Sequence, residues 1–157
     1  MIQLVRIDDR LLHGQVAYSW KGYLDYEAIV IASEVAVKDS LRQAAMKMAK
    51  PDGVRLAIRD IPEAIKLLQN PRIAHLKTFV VTDTVAGAVE LLRQLPAGIA
   101  LNIGGVQKQE FKEKVTPFTY LTTAEKIQLQ QLEAAGTAID FRLVPTDTPQ
   151  KLGNLIN

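Results

Sequence analysis

The feature that most constrains this chain is the run Ala28-Ile29-Val30-Ile31-Ala32. Five apolar residues in a row, with no polar alternation, suit a strand buried on both faces, as in a parallel sheet covered by helices. Comparable strand patterns span Met1 to Ile7, Val54 to Ile58, Lys77 to Val81, Gly98 to Ile103, Pro117 to Leu121 and Ala138 to Val144. Helical spacing fills the intervals. Gly14 to about Leu24 carries Val16, Trp20 and Tyr23 on one face, and Lys38 to Lys50 places Leu41, Ala44, Ala45 and Met48 inward. Ile65 and Leu68 follow an Asp60…Glu63 cap, Val85, Val89, Leu92 and Leu95 mark a fourth helix, and Ile127 and Leu132 a fifth. The fifth opens on a Thr122…Glu125 capping box and stops at Gly136. Strands alternating with helices predict an α/β fold, a mostly parallel open twisted sheet of about seven strands with helices on both faces. No repeat, linker or composition break divides the chain, so residues 1–157 read as one domain. Gln107 to Lys114 reads as a mobile loop or a short helix, and residues 145–157 as a polar tail that partly frays.

Composition removes several function classes. The formal net charge is +2, and no run of like charges or aromatic-laced basic patch points to nucleic acid. There is no cysteine, which excludes disulfides, thiolate metal sites and a cysteine nucleophile. That absence fits a cytoplasmic protein. Met1 leads directly into a strand pattern without a basic n-region or a long apolar core, so no signal peptide is expected. No apolar stretch approaches the roughly 18 residues a membrane span requires.

Chemistry gathers where the first strand ends, in Arg6-Ile7-Asp8-Asp9-Arg10-Leu11-Leu12-His13-Gly14-Gln15-Val16. A strand, a charged loop and a helix start fall within one short segment, the place where α/β proteins put ligand chemistry. Gly14 leaves the backbone after His13 uncrowded, and the amides of Gly14 and Gln15 open a helix, which suits a phosphate. Arg10 can fork onto phosphate oxygens. Asp8 or Asp9 can accept a proton from one imidazole nitrogen and leave the other as a nucleophile. The alternative is a polar helix start with Asp8, Asp9 and Arg10 pairing on a solvated loop. At neighbouring strand ends, Thr82 and Asp83 can reach the same site or merely cap a helix, and Gly104-Gly105 can admit a ligand or form a plain turn. Trp20 reads as core rather than as a site wall, and His75, before a strand, as structural or exposed.

The string RIDDRLLHGQV resembles the signature of the IIB component of the mannose/fructose/sorbose family of the bacterial phosphoenolpyruvate-dependent sugar phosphotransferase system (PTS). Leu101-Asn102-Ile103-Gly104-Gly105 is similar to a second, weaker family loop, and the family's domain size matches the whole chain. Leu12 departs from the isoleucine common there. The resemblance implies the same α/β architecture and a cycle in which His13 takes a phosphoryl group on Nδ1 from a IIA phosphohistidine. It then passes the group to the 6-hydroxyl of a sugar carried by membrane IIC and IID subunits. By physical argument, Arg10 would balance transition-state charge and Asp8 or a backbone carbonyl would hold the ring's other nitrogen. Gly14 and Gln15, with Thr82, Asp83, Asn102, Gly104 and Gly105, would surround the phosphate. The resemblance also implies a cytoplasmic subunit at the inner membrane face that needs no cofactor and no metal. Self-association is left open. Two other readings compete: a regulatory or ligand-binding α/β module without sugar phosphorylation, and a small nucleotide- or flavin-binding protein resting on Gly104-Gly105. The chain has neither G-x-G-x-x-G nor a Walker ending, which weakens the last.

Overall fold

The computed structural model describes residues 1–156. In chain order these form β1 (Ile2–Ile7), α1 (Gly14–Leu24), β2 (Ala28–Ala32), α2 (Ser40–Ala49), β3 (Arg55–Arg59), α3 (Ile61–Leu68), β4 (Thr78–Thr82) and α4 (Val85–Gln94). Then follow β5 (Leu101–Ile103), β6 (Glu113–Thr116), β7 (Thr119–Leu121), α5 (Thr123–Ala134), β8 (Ile139–Phe141), β9 (Gln150–Lys151) and α6 (Leu152–Leu155). Seven strands make one sheet in the order β3-β2-β4-β1-β5-β8-β9, and β6 pairs with β7 in a separate hairpin. All pairings in the large sheet are parallel except β8 with β9.

Each central strand feeds two cores, because successive side chains leave on opposite faces. Leu4, Ile29, Ile31, Phe79 and Val81 pack with Trp20, Tyr26 and Met46 under α1 and α2. Val5, Ile7, Val30, Val80, Leu101 and Ile103 pack on the other face with Leu68, Leu91, Leu129 and Leu132 of α3, α4 and α5. Two apolar faces explain why β2 reads as an unbroken apolar run. Trp20 is wholly buried and lies stacked 6.2 Å from Phe79, so its role is packing.

The helix ends follow their sequence signals. Thr122 and Glu125 cap α5 reciprocally, and Asp60 accepts from the Glu63 amide at the start of α3. Gly136, with φ of 109°, closes α5 in a Schellman arrangement in which Thr137 N–H donates to Leu132 O and Gly136 N–H to Glu133 O.

Four expectations are corrected. In α2 the stripe Leu41, Ala44, Ala45, Met48 faces solvent, with Leu41 82% and Met48 88% exposed, and the buried residue is Met46. Polar anchors set the helix's rotation: Arg42 Nη2 donates to Asp9 O at 2.8 Å and Gln43 Nε2 to Ala36 O at 2.8 Å. Tyr23 and Ile127 are likewise exposed rather than core. The Gln107–Lys114 stretch is neither loop throughout nor helix. Its end enters β6, which pairs with β7, so the strand expected over Pro117–Leu121 lies outside the main sheet. Finally, part of the polar tail is structured. Gln150 and Lys151 add β9 to the sheet edge, and Leu152 is fully buried. A two-residue strand is too short to leave a periodic pattern, and one buried leucine is enough to hold it.

The corrected phase of α2 has a measurable consequence. Leu41→Ser and Met48→Ser should each change stability by less than about 0.5 kcal/mol, whereas Met46→Ala should cost about 2–5 kcal/mol. Urea unfolding of the three variants, read at unchanged m, checks the order.

Candidate functional site

β1 lies between β4 and β5, where the strand order turns from one side of the sheet to the other. Ligands bind at such switch points, outside the carboxyl ends of the strands. The loop leaving β1 is held by both neighbours: Asp8 N–H donates to Thr82 O and Asp9 N–H to Gly105 O, each at 2.9 Å. Leu11 N–H donates to Asp8 O at 2.9 Å, closing a tight turn, and Leu11 sits at φ of 56°. A non-glycine residue in that region costs about 1–2 kcal/mol. Leu11 and Leu12 are both buried among the α1-side core residues, and full burial of each is worth about 1.5–3 kcal/mol. Burial therefore outweighs the strain and pins the loop.

His13 is the N-cap of α1, in extended conformation, and its side chain makes no capping bond. The ring turns instead toward Asp8, with Nε2 3.4 Å from Oδ2 and the side chain 21% exposed. Asp8 is nearly fully buried and faces three donors. Its Oδ2 also accepts from Arg6 Nη2 at 2.9 Å, and its Oδ1 accepts from the Arg10 amide at 3.0 Å. Asp9 points the other way, accepting from the Gln107 amide at 2.6 Å.

A cleft of about 260 Å³ opens in front of this loop. It is lined by Asp8, Asp9, Arg10, His13 and Gln15 on one side and by Gly105, Val106, Gln107, Phe118, Leu143 and Val144 on the other. Arg10 is exposed there, and the first amides of α1 precede the first helical bond, from Ala17 N–H to His13 O. The cleft thus brings an imidazole, an exposed cation and free amides to one shallow opening, a set suited to a tetrahedral anion.

Five residues expected around the phosphate do not line that cleft: Gly14, the first residue of α1, and four from the neighbouring strand ends. Thr82 is buried at the end of β4, and its carbonyl serves the loop. Asp83 accepts from Ser33 Oγ at 2.8 Å, and neighbouring Glu34 accepts from the Ile61 amide at the start of α3. Asn102 is fully buried, accepting from Arg6 Nη1 and donating to Asp140 Oδ1 at 2.9 Å. Gly104 packs against the Arg6 guanidinium so closely that a Cβ there would lie 2.1 Å from Nη2. Of the residues expected from those strand ends only Gly105 reaches the cleft.

Sequence reasoning also missed Arg6. Its side chain is wholly buried, with its guanidinium carbon 5.4 Å from the Trp20 ring centroid. Burial lowers its pKa from the ordinary value, and the charge and hydrogen bond of Asp8 oppose that shift. The available signal was an arginine inside the apolar run of β1. Equally unforeseen were Phe118 and Leu143, which come from the hairpin and from the segment after β8. Among the described residues, no group of His, Asp and Glu is placed to hold a metal ion.

Comparison with known proteins adds a second line of findings. Residues 2–157 match the family model for the PTS system sorbose subfamily IIB component. The chain is 33% identical to the sorbose-specific EIIB component of Lacticaseibacillus casei, over 94% of its own length and 90% of that protein's. It is 27% identical to the mannose-specific EIIAB component of Escherichia coli, covering 100% of itself and 49% of that longer protein. Among solved structures, the IIBSor domain of the Klebsiella pneumoniae sorbose permease superposes with a TM-score of 0.94 at 27% identity, covering 100% of this chain and 96% of that one.

The buried polar cluster yields a stability prediction. Asn102→Ala removes an acceptor from Arg6 and a donor from Asp140, and should cost about 1–3 kcal/mol. The urea midpoint should fall at constant m, and an unchanged midpoint would refute the cluster's contribution.

Proposed function

The chain belongs to the sorbose-subfamily IIB components of the PTS, and from that premise we propose that His13 is its phosphoryl carrier. IIB components are phosphotransferases of sugar uptake, and they work with IIA and membrane IIC and IID components. In this chain His13 takes the phosphoryl group on Nδ1 from a phosphohistidine of IIA and delivers it to a sugar hydroxyl, the 6-hydroxyl of a hexose. The IIA partner is supported by the E. coli EIIAB relative, in which the matching region is about half of a longer chain.

The observation that carries the reading is the pairing of His13 Nε2 with Asp8. An ionised carboxylate only accepts, so the ring nitrogen facing it bears the proton. The lone pair then belongs to Nδ1. As Nδ1 bonds to phosphorus, the donor's N–P bond breaks and its electron pair returns to the donor ring. The His13 ring gains positive character, which the Asp8 carboxylate beside Nε2–H stabilises. Arg10 and the amides of Gly14 and Gln15 meet the charge on the transferring oxygens. In the second step a sugar oxygen bonds to phosphorus, the Nδ1–P bond breaks with its pair returning to the ring, and the hydroxyl proton leaves to water.

The shallow cleft supports the relay, because two different proteins must reach one histidine in turn. Among the described residues no helix is long and apolar enough to cross a membrane, and we assign the sugar path to IIC and IID. We place the chain in the cytoplasm at the inner membrane face, bound there through IIC and IID.

Incubation with phosphoenolpyruvate, the two general phosphotransfer proteins and a mannose-family IIA should add one acid-labile, base-stable phosphoryl group to the parent and none to His13→Ala. An unlabelled parent beside an active donor chain would refute the carrier reading and favour a ligand-binding module. Arg10→Ala should slow transfer about 10²- to 10³-fold. Because Arg10 is exposed, its urea midpoint should stay within about 0.5 kcal/mol of the parent.

A further inference from the structure

We propose that Arg6 is a positioning residue of this site: from inside the core it fixes the Asp8 carboxylate so that His13 keeps its proton on Nε2 and offers Nδ1. The proposal rests on the carrier reading and names what sets the reacting nitrogen. Arg6 has no exposed surface and does not line the cleft, so it cannot touch a phosphate or a sugar. Its influence passes through Asp8.

Both terminal nitrogens of the fork are engaged, while the buried Nε has no partner among the described residues. Nη2 donates to Asp8 Oδ2 at 2.9 Å. Nη1 donates to Asn102 Oδ1 and to Arg142 O, the latter at 3.0 Å. The plane rests on Trp20, itself wholly buried. Gly104 crosses so near that only a residue without a side chain fits beside Nη2. With the fork immobile, Asp8 is held at both oxygens, by Arg6 on Oδ2 and by the Arg10 amide on Oδ1. The remaining free direction of Oδ2 is toward His13 Nε2, 3.4 Å away.

Packing alone does not account for an arginine here. Leu4, Val5 and Ile7 of the same strand are buried apolar residues, and a core position of this kind is filled at least as stably by an apolar side chain as by a buried ion pair. What an apolar residue cannot do is orient a carboxylate. A freely rotating Asp8 would address the ring with either oxygen or swing away, and His13 would then populate both neutral tautomers. The Nδ1–H form has no lone pair at the reacting position. Arg6 therefore selects the reactive tautomer before any partner arrives.

The test uses the full chain, ¹⁵N-labelled at histidine, with the ring nitrogens read by NMR in the unphosphorylated protein. Single-turnover phosphoryl acceptance from phospho-IIA is followed by rapid quench. The parent should show His13 protonated at Nε2, and an Nδ1–H parent would overturn the proposal without any variant. Arg6→Met removes the fork at similar volume, and Gly104→Ala keeps the arginine but displaces it. Both should give a mixed tautomer signal and acceptance slowed about 10²-fold, with the affinity for IIA unchanged. A folded Arg6→Met or Gly104→Ala protein with parental tautomer and parental rate would refute the role. Should Arg6→Met not fold, Gly104→Ala and the parental tautomer decide. The carrier reading fails separately, by absence of label on the parent, and the tautomer measurement stands apart from that outcome.

Discussion

A guanidinium with no exposed surface, paired to an almost equally buried carboxylate, is the contact on which the rest of this structure depends. Removing two charges from water costs several kcal/mol per ion, and the pair is tolerable only if its remaining hydrogen-bonding groups find partners. The surrounding residues meet this need at both terminal nitrogens of Arg6, while its Nε stays without a partner among the described residues. Asn102 and the Arg142 carbonyl take the second nitrogen of Arg6, Trp20 supplies a face for the plane, and Gly104 leaves room for it. Asn102 in turn donates to Asp140, whose other oxygen meets Arg142 Nε at 2.9 Å. A polar string thus runs from His13 along one face of the sheet, across β1, β5 and β8. Breaking a buried pair by deleting one member costs about 3–5 kcal/mol, so these residues stand or fall together.

The loop that carries His13 combines rigidity at its base with openness at its rim. Its backbone bonds to the ends of β4 and β5, its turn is locked by buried Leu11 and Leu12, and Arg42 of α2 reaches its Asp9 carbonyl. The side chains at its surface, Arg10 and Gln15, are exposed. The base of the loop is thus fixed, while its rim stays open to solvent. The hairpin of β6 and β7 completes the cleft from the opposite side. It is tied down by Thr119 Oγ1, which donates to Gly104 O at 2.7 Å, beside the glycine that accommodates Arg6.

Legibility varied from element to element for physical reasons. The strands of the parallel sheet were readable because burial on both faces demands unbroken apolar runs. The α5 boundaries were readable because Thr122, Glu125 and Gly136 act within a few residues of themselves. The rotation of α2 was not, because its residues carry two stripes at helical spacing and the choice between them rests on Arg42 and Gln43 bonding to distant carbonyls. The same limit applies at the site. Asn102 lies near the carboxyl end of a strand and Gly104 follows it, where phosphate-binding residues often stand, yet here both are occupied by a buried arginine that sits 96 residues away from Asn102 in sequence.

By itself the sequence determined the α/β class, and it pointed to the loop after the first strand, with its histidine, arginine and aspartate, as the candidate site. These depend on local patterns: apolar runs, capping residues, and a charged loop leading into a helix. Only the tertiary structure decided which groups share the cleft and which serve the core. It turned Asn102 and Gly104 inward to Arg6, brought Phe118 and Leu143 to the rim, and added Gln150 and Lys151 to the sheet edge. Those outcomes follow from long-range contacts between segments far apart in the chain, and a carboxylate's orientation is set by whichever donors folding brings to it.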